Sequence, residues 1–330
     1  MKFLVTGATG LLGNTLVRSL LAAGDQVRVL TRSTSDPRPL AGLDVEKVQG
    51  DVRQVDAVRQ ACQGVDAVIH AAAHVHIGWT HAELHHEINV EGTRHVAQAA
   101  REAGARLVYV SSINALGLGD LHAPADEDTP LPGIVECPYV QSKRQAEWVV
   151  LEECSRGLHA SIVNPSLMFG PWDWKPSSGQ MLLEVAKGAP IAPRGAANFC
   201  DSRDVAAGCI AAVKLGQSGR RYVLGAHNGT YLELWQLMAR VAGVSAPRFR
   251  MGPIVQICGG MGGDLWARMT GKEGAVNSAV IGLSRQSHCF SSARAQRELG
   301  YTTRPLEESL TDTWNWFIEH GYVRPSKAAG

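Results

Sequence analysis

The sequence predicts an α/β fold: a doubly wound parallel sheet joined to a smaller, mostly C-terminal region. Strand-like and helix-like segments alternate over about the first two hundred residues, which is typical of a parallel sheet with helices on both faces. A glycine-rich turn joins the first strand to the first helix. The 330 residues, 45% of them hydrophobic, can bury a core large enough for one such domain or two joined ones.

Six short apolar segments are of the strand-forming type, and helical patterns lie between most of them. The predicted strands are residues 3–6, 26–31, 45–49, 67–70, 107–111 and 160–163. Near the C-terminus, residues 306–320 show an amphipathic helical pattern with Trp314, Trp316 and Phe317 on its apolar face.

The first predicted strand runs into TGATGLLG, and apolar residues then recur at helical spacing up to Gly24. In such a turn the first glycine allows the tight bend, the second lets a pyrophosphate approach the backbone, and the third lets the helix pack on the strand. The helix N-terminus faces the phosphates. A plain turn is the alternative, but strand, triplet and helix in register favour a dinucleotide site. Its predicted contacts are Gly7, Thr9, Gly10, Leu11, Leu12 and Gly13.

The end of the second strand indicates which dinucleotide is preferred. An NAD site usually places an acid there for the ribose 2′-hydroxyl, whereas a 2′-phosphate needs a cation. Arg32 and Ser33 occupy this position, and no acid does. We therefore expect NADP(H) to be preferred, with NAD(H) as the alternative if Arg32 is only a solvated surface charge.

Two further strand ends supply cofactor candidates. Asp51 and Val52 follow the third strand and could contact the adenine, although Asp51 could instead cap a helix over residues 52–63. Small side chains after the fourth strand would let the backbone close on the cofactor, and they would suit any crowded crossover equally well. These are Ala71, Ala72 and Ala73.

Five histidines follow within a short segment: His74, His76, His81, His85 and His86. Their spacing matches no recognised ligand set, so we expect no metal site. His74 is a candidate for the wall of a substrate pocket. The last three fall on what we expect to be the solvated start of a helix.

Tyr139 and Lys143 are the strongest candidates for chemistry. Their spacing of four places phenol and ammonium on one helix face, and Pro138 suits the first turn of that helix. A nearby ammonium favours the phenolate and lowers a tyrosine pKa from about 10, which suits a proton donor and acceptor. Ser111 and Ser112 close the fifth strand, at the carboxyl edge where ligands bind in open α/β sheets.

Taken together, these motifs resemble those of the extended short-chain dehydrogenase/reductases over nearly the whole chain. The matching segments are TGATGLLG, GDV (50–52), HAAA (70–73), NVEGT (89–93), YVSS (109–112), YVQSK (139–143), NPSLMFGP (164–171), FCDSRDVA (199–206) and the stretch SSARAQRELGYTTRPLEESLTDTWNWF. The resemblance implies a Rossmann-type sheet of residues 1–164, completed by about 198–224. It also implies a substrate-binding region of residues 165–197 and 225–322, and we expect residues 323–330 to be a disordered tail.

The resemblance also implies roles for individual residues. Tyr139 matches the family's acid/base, Lys143 the residue that binds the nicotinamide ribose and tunes the tyrosine, and Ser112 the residue that bonds the reacting oxygen. Ser111 could share that last role, and Asn89 matches a structural position near the active site. Backbone lining the nicotinamide is matched by Pro165, Ser166 and Leu167.

The branch of the family is narrowed by what is missing. Dehydratases of the family carry Asp-Glu after the catalytic hydroxyl, where this chain has Ile113 and Asn114. Epimerases commonly hold NAD through the acid that is absent after the second strand. The rest resembles dihydroflavonol-reductase-like and hydroxysteroid-dehydrogenase-like enzymes. This implies NADPH-dependent reduction of a ketone or aldehyde on a fairly apolar substrate, with hydride from nicotinamide C4 and the proton from Tyr139.

Two other functions stay open: a nucleotide-sugar epimerase with tightly bound NAD, and a non-catalytic cofactor-binding regulatory protein. A diphosphate could be bound by Arg194, Arg203 and Arg248.

The substrate-binding residues are less clearly marked by the resemblance. Asn164 stands where many relatives have arginine, so the resemblance does not define the substrate contacts near this position. The predicted substrate contacts are His74, Asn114, Met168, Trp172, Trp174 and Arg203. Residues 253–271 are interpreted as a mobile lid, with a membrane-surface helix as the alternative.

The composition of the chain limits which binding partners and which cellular location are expected. A net charge of +1 gives no electrostatic footprint for nucleic acid. Seven cysteines without paired short spacing indicate a reducing compartment. We expect no signal peptide and no membrane span, hence a cytoplasmic protein that acts on a small molecule, with a homodimer as the candidate assembly.

Overall fold

The computed structural model describes residues 1–131, 133, 135–274 and 276–323. Its strands are β1 (Lys2–Thr6), β2 (Gln26–Thr31), β3 (Glu46–Gln49), β4 (Ala67–His70), β5 (Arg106–Val110), β6 (Ala160–Pro165), β7 (Leu167–Phe169), β8 (Ile191–Ala192), β9 (Ala196–Asp201), β10 (Arg221–Leu224), β11 (His227–Thr230), β12 (Phe249–Arg250) and β13 (Ser287–His288). Its α-helices are α1 (Leu11–Ala22), α2 (Val55–Cys62), α3 (Ala82–His85), α4 (Gly92–Glu102), α5 (Pro138–Ser155), α6 (Gly179–Ala186), α7 (Ser202–Leu215), α8 (Tyr231–Ala242), α9 (Pro253–Thr270), α10 (Ser278–Arg285), α11 (Ala293–Leu299) and α12 (Leu306–Glu319). A π-helical turn, His86–Glu91, joins α3 to α4.

A seven-stranded sheet forms the centre of the fold, in the order β10-β6-β5-β4-β1-β2-β3. Every neighbouring pair in it is parallel. This confirms the doubly wound parallel sheet. Each predicted strand is present with ends shifted by at most two residues, and β10 is added beside β6.

Two apolar cores cover the two faces of this sheet, because successive side chains of a strand point to opposite faces. Phe3 and Val5 of β1 pack with α1, α7 and α11 in one core. Leu4, between them, packs with α2, α4 and α5 in the other. All three side chains have no solvent exposure. Because all seven strands are parallel, their carboxyl ends lie along one shared edge of the sheet.

A third core holds the C-terminal part of the chain. It packs Phe199 of β9 and Met238 of α8 with Phe317 of α12. The amphipathic helix predicted at residues 306–320 is confirmed as α12, with Trp316 and Phe317 buried and Trp314 half-buried.

The segment interpreted as a lid is α9, an 18-residue helix that packs against α10. Within the described ranges, none of the helices combines the length and hydropathy needed to cross a membrane. The tail predicted to be disordered falls, from residue 324 onward, outside the described residues.

Candidate active site

The three glycines between β1 and α1 differ in how much space the structure leaves for a side chain. Gly7 has a φ of 72°, and a Cβ there would lie 2.6 Å from the main-chain nitrogen of Ala72. A Cβ on Gly13 would lie 2.1 Å from the oxygen of Gly7. A Cβ on Gly10 would meet that oxygen at an ordinary 3.5 Å. The first and third glycines are therefore required by the fold itself, whereas the second leaves space beside the helix N-terminus, as a pyrophosphate needs.

The other predicted cofactor residues of the N-terminal half border this turn. Thr9, Leu11 and Leu12 form the end of the turn and the start of α1. Ala71, Ala72 and Ala73 follow β4, which pairs directly with β1. Thr6, His70 and Thr93 tie the ends of β1 and β4 to α4. His70 Nδ1 lies 2.7 Å from Thr6 Oγ1, and its Nε2 lies 3.1 Å from Thr93 Oγ1.

Arg32 and Ser33 are exposed at the end of β2. Burial alone would raise the pKa of Asp51, but hydrogen bonds from Arg53 and the charges of Arg53 and Arg32 bring it below its ordinary value. Arg32 therefore lies near Asp51, which follows β3.

The alternative that Asp51 caps a helix is wrong. The helix after β3 starts at Val55, later than predicted, with Gln54 at its N-cap. Asp51 Oδ1 instead accepts hydrogen bonds from the main-chain nitrogen and the Nε of Arg53, both at 3.0 Å. Val52 is buried against Gly92.

Tyr139 and Lys143 lie on one face of α5, which begins with Pro138 as its first residue. Both side chains are buried. Lys143 Nζ donates a 2.9 Å hydrogen bond to the main-chain oxygen of Val110 at the end of β5. The tyrosine, the lysine and the serine end of β5 therefore meet at the carboxyl edge of the sheet.

The pKa values at this site are set mainly by burial. Burial raises the pKa of Tyr139, and the nearby Ser112 hydroxyl acts in the opposite direction. The expectation that Lys143 holds the pKa of Tyr139 below its ordinary value is therefore wrong, because the phenolate loses more from desolvation than it gains from its neighbours. Burial also lowers the pKa of Lys143 to about 8, and the carboxylate of Glu147 raises it.

The two serines after β5 differ in their surroundings. Ser112 lies close enough to Tyr139 to affect the pKa of its phenol, and its Oγ accepts a 3.2 Å hydrogen bond from the main-chain nitrogen of Asn114. Ser111 has its main chain bonded to Val163, and its buried Oγ has no hydrogen-bond partner among the described residues. This geometry favours Ser112 as the partner of the tyrosine and leaves the Ser111 hydroxyl free for a bound molecule.

Asn89 lies in the π-helical turn and holds the segment after β4. Its Oδ1 accepts a 2.7 Å bond from His74 N, and its Nδ2 donates 3.0 Å to His74 O and 2.9 Å to Ser142 Oγ. Ser142 precedes Lys143 on α5. Asn89 therefore fixes the backbone of His74 relative to the tyrosine helix.

Sequence reasoning missed His85. It was expected on a solvated helix start with His81 and His86, which are exposed, but it is fully buried. Its ring centre lies 6.1 Å from that of Tyr139 and 4.6 Å from that of His74. Burial lowers the pKa of His85 to about 4, so the ring is neutral at physiological pH. The signal in the sequence was its spacing of four from Asn89.

The metal reading of these histidines finds no geometric support. Across the described part of the chain, no group of three or more His, Cys, Asp or Glu side chains is placed to hold a metal ion. His76 instead bonds Glu273 at 2.9 Å, and Glu273 also accepts a 2.8 Å bond from Trp79 N. This carboxylate ties the segment after β4 to the end of α9.

Three predicted substrate residues have packing roles. Arg18 lies 4.9 Å above the ring of Trp172, and Trp174 packs edge-on against Trp316 at 5.1 Å. Arg203 is held by Asp201 at 2.8 Å and Asp312 at 2.7 Å. These contacts do not support the prediction that Trp172, Trp174 and Arg203 line the substrate side, because each side chain is engaged in the C-terminal region or by α1.

The apolar surroundings of Tyr139 come from elsewhere. Tyr139 packs in a cluster with Cys137, Val140, Ala279 and Leu283, joined by the half-buried Ile77, Leu118 and Val135. Of the other predicted residues, Pro165 ends β6, Ser166 is buried, and Leu167 and Met168 are half-buried in β7. The wall contributed by α10 was not foreseen because nothing in residues 278–285 marks them as close to Tyr139.

A parallel sheet with this glycine turn and this Ser-Tyr-Lys set defines the class of NAD(P)-dependent oxidoreductases of the short-chain dehydrogenase/reductase type. Residues 3–225 match the model of the NAD dependent epimerase/dehydratase family, and the chain belongs to that family. It is an enzyme of the NAD(P)-dependent oxidoreductase type.

Relatives of similar length support this assignment. The chain is 35% identical to "Sterol demethylase protein B" of Methylococcus capsulatus, over 98% of this chain and 100% of that protein. It is 29% identical to the "4-hydroxy-2-methyl-3-oxo-4-farnesyl-3,4-dihydroquinoline-1-oxide ketoreductase" of Stigmatella aurantiaca, over 94% and 95% of the two chains. The crystal structure of gox2253 superposes with a TM-score of 0.85 at 36% identity, covering 98% of this chain and 99% of that one.

Proposed function

We propose that the protein is an NADPH-dependent reductase of a ketone or aldehyde on a fairly apolar small molecule. The observation that carries this proposal is the burial of Tyr139, beside Ser112, within an apolar cluster at the carboxyl edge of the sheet. This edge also carries the glycine turn at Gly7 and Gly13.

Three side chains of the site have different roles in the proposed reaction. The bound nicotinamide supplies the hydride. Tyr139 donates the proton to the carbonyl oxygen, and its raised pKa suits this direction because the phenol keeps its proton at neutral pH. Ser112 bonds the same oxygen and orients it towards the phenol. Lys143, anchored on Val110, places a positive charge beside the tyrosine and the expected ribose position.

An apolar substrate is supported by the side chains around Tyr139. Leu118, Val135 and Leu283 offer no charge for a sugar or a phosphate. The names of two relatives refer to a sterol and to a farnesylated quinoline, both largely apolar molecules. Arg203, one of three arginines considered for a diphosphate, is taken by Asp201 and Asp312, which weakens the epimerase alternative.

NADPH is favoured over NADH by Arg32. It is exposed at the end of β2 and contributes to the potential at Asp51, and neither Arg32 nor Ser33 is an acid that would bind a ribose 2′-hydroxyl.

The test compares cofactor turnover with cofactor retention. We expect the purified protein to release little dinucleotide on denaturation, measured by absorbance. We also expect it to consume NADPH in proportion to product with apolar ketones or aldehydes. Near-full occupancy by NAD, with interconversion of a nucleotide sugar and no net NADPH loss, would establish the epimerase instead.

A further inference from the structure

The outer face of α9 is apolar although it faces solvent. Six of its side chains are between 58% and 76% exposed. They are Ile254, Val255, Met261, Leu265, Trp266 and Met269. A helix on a globular surface normally shows the reverse arrangement, with its polar side chains outward. These six residues are called the α9 face below.

The inner side of α9 explains why these residues cannot turn inward. Gln256 and Gly260 are its buried residues. A Cβ on Gly260 would lie 3.1 Å from Ser278 Cα, and one on Gly263 would lie 1.9 Å from Val276 O. The helix therefore packs closely on the start of α10 and the chain before it through Gly260 and Gly263. The α9 face is left without a covering element among the described residues.

Two more exposed apolar side chains lie in β12 and β8. Phe249 in β12 is 69% exposed, and its register partner Ile191 in β8 is 42% exposed. Phe249 precedes the first residue of α9 by four positions, and Trp266 lies in the last turns of that helix. Exposed apolar side chains in such number mark contact with a membrane or a partner.

Charge distinguishes between those two occupants. Arg248 and Arg250 precede the helix, Arg268 and Lys272 lie at its other end, and all four are exposed. Among the described residues none of them forms an ion pair. A second copy of the chain docked on the same face would bring like charges together, which is unfavourable.

The acids of this segment are turned away from the α9 face. Asp264 accepts a 3.0 Å bond from Ser278 N, and Glu273 is bound by Trp79 and His76. The surface therefore combines apolar residues, two aromatic rings and basic ends, which complements an anionic bilayer surface.

We propose that the α9 face binds the surface of an anionic lipid bilayer, with the helix lying parallel to the membrane. At 1.5 Å per residue the helix is ~27 Å long, and its apolar side chains would enter the headgroup region to a depth of ~5–10 Å. The four basic residues then contact lipid headgroups.

This contact would lie beside the candidate active site. Glu273, just after α9, binds the segment of His76, and Ala279 and Leu283 of α10 pack in the cluster of Tyr139. Given the proposed function, an apolar substrate would then enter the site from the lipid. Membrane binding itself does not depend on it.

Vesicle co-sedimentation of the full chain, without cofactor or substrate, tests the proposal. The vesicles contain phosphatidylcholine and phosphatidylglycerol at about 2:1, or phosphatidylcholine alone. We expect binding to the anionic vesicles, and a loss of at least ~tenfold in partitioning for the double variant Leu265→Glu/Met269→Glu. Leu215→Glu, on the exposed side of α7, is the matched control and should bind like the unchanged protein. Circular dichroism confirms that each variant is folded.

A second pair of variants tests the charges. Arg250→Gln/Arg268→Gln should lose roughly fivefold in partitioning per removed charge on anionic vesicles and little on neutral ones. Absence of vesicle binding, or equal binding by Leu265→Glu/Met269→Glu, would overturn the proposal. So would a dimer in sedimentation velocity that only this double variant dissociates, since the face would then join two copies. Reduction of a water-soluble aldehyde without vesicles is measured separately, so failure of the proposed reaction is not confused with failure to bind lipid.

Discussion

The side-chain amide of Asn164 donates a 3.0 Å hydrogen bond to the main-chain oxygen of Ser112. The same nitrogen bonds Oε1 of Glu147 at 2.7 Å, and Oε2 of Glu147 accepts a 2.6 Å bond from Arg221. Asn164 is fully buried. Its departure from the arginine of many relatives therefore concerns how the serine end of β5 is held. It does not place a new group on the substrate side.

Glu147 should control the alkaline limb of activity. Burial brings the pKa of Lys143 to about 8, and the Glu147 carboxylate raises it, so removing that charge lowers it further. Because the ammonium is lost as pH rises through its pKa, Glu147→Gln should move the alkaline fall of kcat/KM to lower pH. Glu152→Gln, on the exposed side of α5, is the control. Superimposable pH profiles would exclude this coupling.

Tyr139→Phe should retain NADPH binding and lose most turnover, because the hydroxyl acts on the carbonyl oxygen and not on the cofactor phosphates. Fluorescence titration measures binding, and NADPH consumption measures turnover. A folded variant that keeps its activity would remove Tyr139 from its proposed role as proton donor.

Arg32→Ala should weaken NADPH binding by about tenfold or more and leave NADH binding nearly unchanged, because a charge-assisted bond to the 2′-phosphate is worth ~1.5–3 kcal/mol. Titration of both cofactors measures this. Arg59→Ala, an exposed arginine of α2, is the control. Equal affinity of the unchanged protein for NADPH and NADH would contradict the prediction.

The glycine turn permits a paired test. Gly10→Ala should cost about 1 kcal/mol or less in unfolding free energy, because its Cβ meets Gly7 at an ordinary 3.5 Å, yet it should weaken cofactor binding. Gly13→Ala places a Cβ 2.1 Å from the oxygen of Gly7 and should cost ~1–3 kcal/mol or more. Urea unfolding and cofactor titration separate the two effects. If Gly10→Ala binds NADPH normally, the pyrophosphate does not pass there.

Stability should fall in mild acid through buried histidines. Burial lowers the pKa of His70 to about 3 and that of His288 to about 4, both below the unfolded value of 6.5. Between those values and pH 6.5 the unfolded chain binds the protons that the folded chain excludes. Each ring should therefore cost ~1.4 kcal/mol per pH unit as pH falls below 6.5.

His288 provides the variant for this test, because both of its ring nitrogens are buried without a hydrogen-bond partner among the described residues. His288→Leu should make the urea midpoint less dependent on pH between 7.5 and 5. The reduction should equal the pH dependence that one buried histidine contributes. An unchanged slope would show that this ring does not contribute.

The sequence was sufficient for the sheet because apolar runs and the glycine turn are local signals. Every predicted strand is found, and Ser112 and Tyr139 lie together as the resemblance implies. For Trp172 and Trp174 the sequence was ambiguous, because a large aromatic residue suits a core as well as a pocket. The structure packs Trp174 against Trp316.

Other parts of the site depend on contacts between distant segments. Asn164 and Glu147 meet across β6 and α5, and Leu283 reaches Tyr139 from α10. Burial also decided the direction of the pKa of Tyr139, and spacing on one helix cannot show the extent of burial. Such features follow from packing and have no signature in a short window of sequence.

The π-helical turn at His86–Glu91 makes the length of this segment a constraint in evolution. Such a turn holds one residue more than an α-helical turn. A deletion of one residue between His85 and Asn89 would restore α-helical spacing, and these two side chains would then be three residues apart instead of four. The present contact between His85 and Asn89 would be lost. Relatives that keep this histidine beside the tyrosine should therefore tolerate substitutions in the turn other than at Asn89, but neither insertions nor deletions.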